Sequence, residues 1–166
     1  MHQRHTNDRP VVRCSVANLV KSFLSREELK AVAEAITETE RHTSGEIRVA
    51  IRQKRAKRER GSSVEQLTRL EFARLGMIKT EERTGVLLFI LVEAREFFIL
   101  ADEHINERVA PKTWDGIAKM MAEKFANAEY RDGLLAAVRS VGEHLASHFP
   151  VRSDDKNELP NDVALS

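Results

Sequence analysis

Carboxylates gather on both sides of one apolar hairpin. Glu81-Glu82-Arg83-Thr84 stands ahead of it, and Asp102-Glu103-His104-Ile105-Asn106-Glu107 follows it. Folding the hairpin brings both polar segments to one end of a sheet. There Glu82, Asp102 and Glu103 would offer hard oxygen donors of the kind that calcium or magnesium takes. His104 lies among them and could act as a further ligand or as a proton donor. A solvated sheet end with ordinary surface charges is the plainer account of the same residues. The sequence has no Gly-rich phosphate loop, no paired-cysteine zinc spacing and no elbow around a nucleophilic serine. His144 and His148 stand one helical turn apart without a third ligand at a suitable spacing, so they read as surface or helix-end histidines.

The hairpin must position these groups. The run Val86-Leu87-Leu88-Phe89-Ile90-Leu91-Val92 is split from Phe97-Phe98-Ile99-Leu100-Ala101 by Glu93-Ala94-Arg95-Glu96. Two branched and aromatic runs around so tight a break predict antiparallel strands. The first has no polar alternation, so both its faces should be covered, as in a central strand. With Ala94-Arg95 as the turn, Leu87 faces Asp102 and Gly85 faces His104.

Upstream, Glu46 to Arg52 alternates, with Ile47, Val49 and Ile51 on one face and Glu46, Arg48 and Arg52 on a partly solvated one. Ser62 with Glu65 makes a capping box for a helix that buries Val64, Leu67, Leu70 and Leu75 and stops at Gly76. Strand, helix and strand in this order imply a right-handed crossover and two parallel strands. That places Gly45 at the same end as Gly85 and Asp102, whereas ligands in open α/β sheets favour the carboxyl ends of parallel strands.

Further helices flank this unit. Ser25 and Glu28 form a capping box and Leu24 with Leu29 a hydrophobic staple, before an apolar face of Leu29, Val32, Ala33 and Ile36. After Pro111, the spacing of Trp114, Ile117, Ala118, Met121 and Phe125 predicts a helix with Trp114 in the core. Tyr130-Arg131-Asp132-Gly133 reads as a link, and Leu134 to Leu145 as a last helix ended by Pro150. The organisation expected is a flexible arm over residues 1–23, an α/β domain over 24–150 and an acidic tail over 151–166, either disordered or packed back on the domain.

The totals are those of an ordinary globular protein. In 166 residues, 42% are hydrophobic, and 27 basic residues face 26 acidic ones for a charge of +1. One domain follows from the length. The charge balance excludes a general polyanion-binding surface. The basic run from Arg52 to Arg60 lacks interleaved aromatics and reads as a solvated, flexible loop, so no nucleic acid is expected. The lone Cys14 suits a reducing compartment. No apolar stretch could span a bilayer and the first residues do not resemble a signal peptide, so a cytoplasmic location is expected.

Several short blocks carry a resemblance. Ser44-Gly45-Glu46-Ile47, Leu75-Gly76, Thr84-Gly85-Val86-Leu87-Leu88, Ala101-Asp102 and Tyr130-Arg131-Asp132-Gly133 are similar, in order, to signature blocks of the TPM-domain family. The tail Asp154-Asp155-Lys156-Asn157-Glu158-Leu159-Pro160 resembles the end of its compact, anchorless bacterial branch. The resemblance implies a three-layer α/β/α sandwich around a small mixed sheet with a parallel crossover and an antiparallel hairpin. Relatives include acid phosphatases, proteins with a divalent metal near the loop before the central strand, and maintenance factors or modulators without evident catalysis. Relatives often have Asp-Asn where this chain has Arg83-Thr84, and glycines where it has Ala101 and His104; Gly85 and Asp102 match.

Two functions are therefore expected. One is a non-catalytic, cytoplasmic interaction or stress-related module, with an unidentified protein partner and a candidate divalent-metal site. The other is a metal-assisted acid phosphatase acting on phosphomonoesters. In it Glu82, Asp102 and Glu103 would hold calcium or magnesium, His104 would protonate the leaving group, and Arg83 would grip phosphate oxygens.

Overall fold

The structure, a computed structural model, describes residues 22–166. A four-stranded sheet has the order β3-β2-β1-β4. Its strands are β1 (Glu46–Arg52), β2 (Gly85–Leu91), β3 (Glu96–Ala101) and the short β4 (Ala164–Leu165). β1 runs parallel to β2, from Glu46 beside Gly85 to Arg52 beside Leu91. β2 is buried along its whole length, as its unbroken apolar run requires.

The hairpin register differs from the expected one by two residues. Leu91 pairs with Glu96 and Leu87 with Leu100, so four residues, Val92–Arg95, make the connection. Arg95 adopts φ 55° and donates its N–H to the Val92 carbonyl at 3.1 Å, closing a turn that the two-residue reading did not allow for. A two-residue shift keeps every side chain on its face. It brings Asp102 beside Gly85, whose carbonyl accepts the Asp102 N–H at 2.8 Å.

Helices cover both faces of the sheet. On one lie α1 (Arg26–Glu40), the one-turn α3 (Glu103–Asn106), α4 (Pro111–Ala126) and α5 (Tyr130–His148). Val32, Ile36, Met121, Val138 and Leu145 pack there against Ile47, Val49, Val86 and Leu88. Trp114 is half-buried against this core. The other face buries Leu67 and Phe72 of α2 (Val64–Arg74) with Met77, Leu87 and Phe89, under Leu159 and Ala164 of the tail. This is the α/β/α sandwich. Among the described residues no helix is long and apolar enough to cross a membrane.

Ser25 and Glu28 cap α1 as expected. The second capping box is Ser63 with Gln66, one residue later than read, because the Ser62 N–H is used in a turn to Glu59. The face turned to the sheet runs through Leu67, Thr68, Glu71 and Phe72, which leaves Leu70 61% exposed. α5 begins at Tyr130, since Tyr130 packs on Phe23 and Phe125; the link is Asn127–Glu129, with Ala128 at φ 58°. α1 and α5 approach so closely that a Cβ on Gly142 would stand 1.9 Å from Thr39 Cγ2. Most of the expected N-terminal arm lies outside the described residues, but Phe23 belongs to the core.

β1 is not half-solvated. Glu46 and Arg48 are buried, because the chain after Pro150 crosses that face and ends as β4, parallel to β1 at Ala50 and Ile51. Nor is the basic run a free loop. Arg52 pairs with Glu59 and Glu71 and lies over the Phe89 ring, and Arg55 donates to Glu96 at 2.6 Å and to the Ser62 carbonyl at 3.1 Å. Glu71, its side chain 1% exposed, also accepts from Arg74. Burial alone would raise its pKa, but Arg74 and Arg52 together hold it below the usual value. Glu71→Gln should cost about 2 kcal/mol, below the range for a fully buried pair because Arg74 reaches water and Arg52 keeps Glu59. Urea melts of the two proteins would show it.

Candidate functional site

The N-terminal ends of β1 and β2 and the C-terminal end of β3 meet at one end of the sheet. Asp102 leaves β3 as the N-cap of α3, and its Oδ1 accepts the Glu103 N–H at 2.7 Å. The loop before β2 brings Arg83 onto the same carboxylate. Arg83 Nε donates to Oδ2 at 3.0 Å and Nη2 to Oδ1 at 3.1 Å, a two-pronged pair. Arg83 holds φ 55°, a left-handed conformation that suits glycine, asparagine or aspartate better than arginine. The Asp102 side chain is 5% exposed, so its charge is met mainly by this guanidinium and the helix N-terminus.

The other expected ligands do not join Asp102. Glu82 is paired with Arg152 of the tail, and Glu103 is exposed with no ion-pair partner among the described residues. Among those residues, no three His, Cys, Asp or Glu side chains stand together as a cation shell. The residues present thus do not fit a bound calcium or magnesium: the positive charge beside Asp102 is an arginine's.

His104 Nδ1 lies 2.5 Å from the Glu82 carbonyl. A carbonyl only accepts, so Nδ1 carries a hydrogen, and Nε2 is the ring atom left for proton exchange. His104 and His148, separate in the sequence reading, line one cleft of about 470 Å³ with Arg108, Arg152, Glu81 and Thr84. Arg108 stacks over Phe149 at 5.3 Å. The sequence reading overlooked Arg108 and Arg152. Pro150 was the available signal: it ends α5 here, pairing with Thr43, and so delivers Arg152 to the loop before β2.

Glu46 and Arg48 of β1 are buried, and Glu40 at the end of α1 is half-buried. Glu40 Oε1 accepts the Ile47 N–H at 2.8 Å, and Glu46 Oε1 accepts the Glu158 N–H at 2.8 Å. Their Oε2 atoms and Arg48 Nε have no hydrogen-bond partner among the described residues. Burial lifts Glu40 to about 7 and also raises Glu46, outweighing its hydrogen bond from Glu158.

The sheet order, the three layers and the loop-to-Asp102 geometry define a class that sequence comparison identifies as well. The TPM domain family matches residues 20–144, and the chain belongs to that family. Among solved structures it is similar to the NMR structure of the BA42 protein from the psychrophilic bacterium Bizionia argentinensis. The two share 33% identity with a TM-score of 0.78, over 87% of this chain and 96% of that one. No curated protein matches the chain.

Proposed function

We propose that this chain is a non-catalytic TPM domain, a cytoplasmic module for interaction or stress response. The observation that carries the reading is the Arg83–Asp102 pair. It commits both oxygens of the one matching carboxylate to an internal cation. The lone Cys14 suits a reducing cytoplasm. An acid phosphatase acting on phosphomonoesters is the second reading, favoured by the cleft that gathers His104, His148, Arg108 and Arg152.

Hydrolysis of p-nitrophenyl phosphate, followed at acid pH with calcium, magnesium or chelator, decides between them. The non-catalytic reading expects no turnover above the Asp102→Asn variant, and a melting midpoint that millimolar cation leaves in place. Metal-dependent turnover lost in Asp102→Asn would overturn it.

A further inference from the structure

β3 closes one side of the sheet. In an antiparallel pair, residues that exchange both backbone hydrogen bonds with the neighbour alternate with residues whose groups point away. The Asp102 N–H bonds the Gly85 carbonyl, so Leu100, Phe98 and Glu96 are bonded to β2, and Phe97, Ile99 and Ala101 turn their N–H and C=O groups outward. Asn106 Nδ2 takes the Ala101 carbonyl at 2.8 Å. Among the described residues nothing pairs with the outward N–H groups of Phe97, Ile99 and Ala101.

Exposed strand edges are usually blunted by lysine, proline or a bulge. Phe97-Phe98-Ile99-Leu100 has none of these. The edge instead forms the floor of a groove of about 290 Å³, with Arg69 of α2 on one rim and Trp114, Asp115 and Ala118 of α4 on the other. Two helices flanking an open edge leave room for one extended chain. Arg69 is already paired with Glu65, whereas the exposed Asp115 has no ion-pair partner among the described residues. The unmatched charge of the groove is negative. An added strand beside six residues is about 20 Å long. Its contact falls well below the ~800 Å² per partner of a stable interface between folded proteins. The groove fits a short segment rather than a second copy of the domain.

We infer that this groove binds an extended, β-branched peptide segment of a partner protein as a fifth strand on β3, with a lysine or arginine of that segment against Asp115. This names the surface for the interaction role proposed above and rests on that reading. The phosphatase assay judges that reading separately, so a failure here removes the groove alone.

The test uses the full chain and a seven-residue peptide of alternating valine and threonine with one central lysine. Trp114 is the only tryptophan, so its fluorescence reports the groove directly. Saturable fluorescence change, with slowed amide exchange at Phe97 and Ile99 but not at the β2-bonded Phe98, is the expected result. Asp115→Lys should weaken the lysine peptide about fivefold and favour a glutamate peptide instead, as one rim charge allows. No binding at millimolar peptide overturns the proposal. So does binding without protection of Phe97 and Ile99. Protection already present in dilute protein would assign the edge to residues 1–21, and protection that grows with protein concentration would assign it to a second copy; either overturns the peptide assignment.

Discussion

Arg83→Asp should give a chain that calcium stabilises. The substitution takes the guanidinium off Asp102 and sets a second carboxylate beside it. The backbone is ready for the change, because φ 55° at this position is easier for aspartate than for arginine. Without metal, two neighbouring carboxylates repel and the melting midpoint falls. At a hundredfold excess of calcium over its dissociation constant, the midpoint should rise by about 5–10 °C. Magnesium should do less, since it gives up its water reluctantly. Arg83→Met is the control: it frees Asp102 without adding an oxygen, and should lose stability with no return on adding calcium. A midpoint of Arg83→Asp that falls and stays down in millimolar calcium would show that the loop is no latent cation site.

Stability should fall as the solution is made alkaline through neutrality. Glu40 moves from an ordinary 4.5 to about 7 on folding, and Glu46 is raised in the same direction. The folded chain therefore holds these protons more tightly than the unfolded chain. The contribution of Glu40 is complete below about pH 4.5 and is lost as pH rises through about 7, and that of Glu46 is lost in the same direction. For Glu40 alone the loss is about 3 kcal/mol. Arg48 of β1 faces both carboxylates and Glu158 of the tail faces Glu46, while Arg74 of α2 and Asp162 of the tail face Arg48. Glu59 and Glu71 have lowered pKa values and act with the opposite sign, their contribution present above about pH 4.5 and lost on acidification. The optimum should thus lie at about pH 5. Urea melts at pH 5 and pH 8 measure the slope, and Glu40→Gln, which keeps an oxygen for the Ile47 N–H, should flatten it. Equal stability of the natural protein at the two pH values would refute the assignment.

What sequence reasoning recovered was local. β2 announced itself through an apolar run without alternation, Ser25 and Glu28 through their spacing, and the β1–β2 crossover through the order of elements. Errors came where distant residues decide. Glu46 and Arg48 alternate as a solvated face would, and only the returning tail buries them. Ser62-Glu65 and Ser63-Gln66 both satisfy a capping pattern, and the turn to Glu59 chooses between them. At the site, Arg83 and Asp102 were both singled out, one for phosphate and one for metal. That they hold each other follows from the left-handed backbone at Arg83, which no residue type at that position signals.

The late arrival of β4 has a kinetic cost. β1 acquires its second neighbour only when residues 164–165 emerge, long after Arg52 has left the ribosome. At about 5–20 residues per second, that side of the nascent sheet stays open for on the order of ten seconds. An open edge bordered only by Ile47, Val49 and Ile51 would invite pairing with neighbouring nascent chains. Glu46 and Arg48, buried in the finished domain, would serve as gatekeeping charges over such an interval. Replacing them with apolar residues should therefore firm the purified protein while lowering the yield of soluble chain during synthesis.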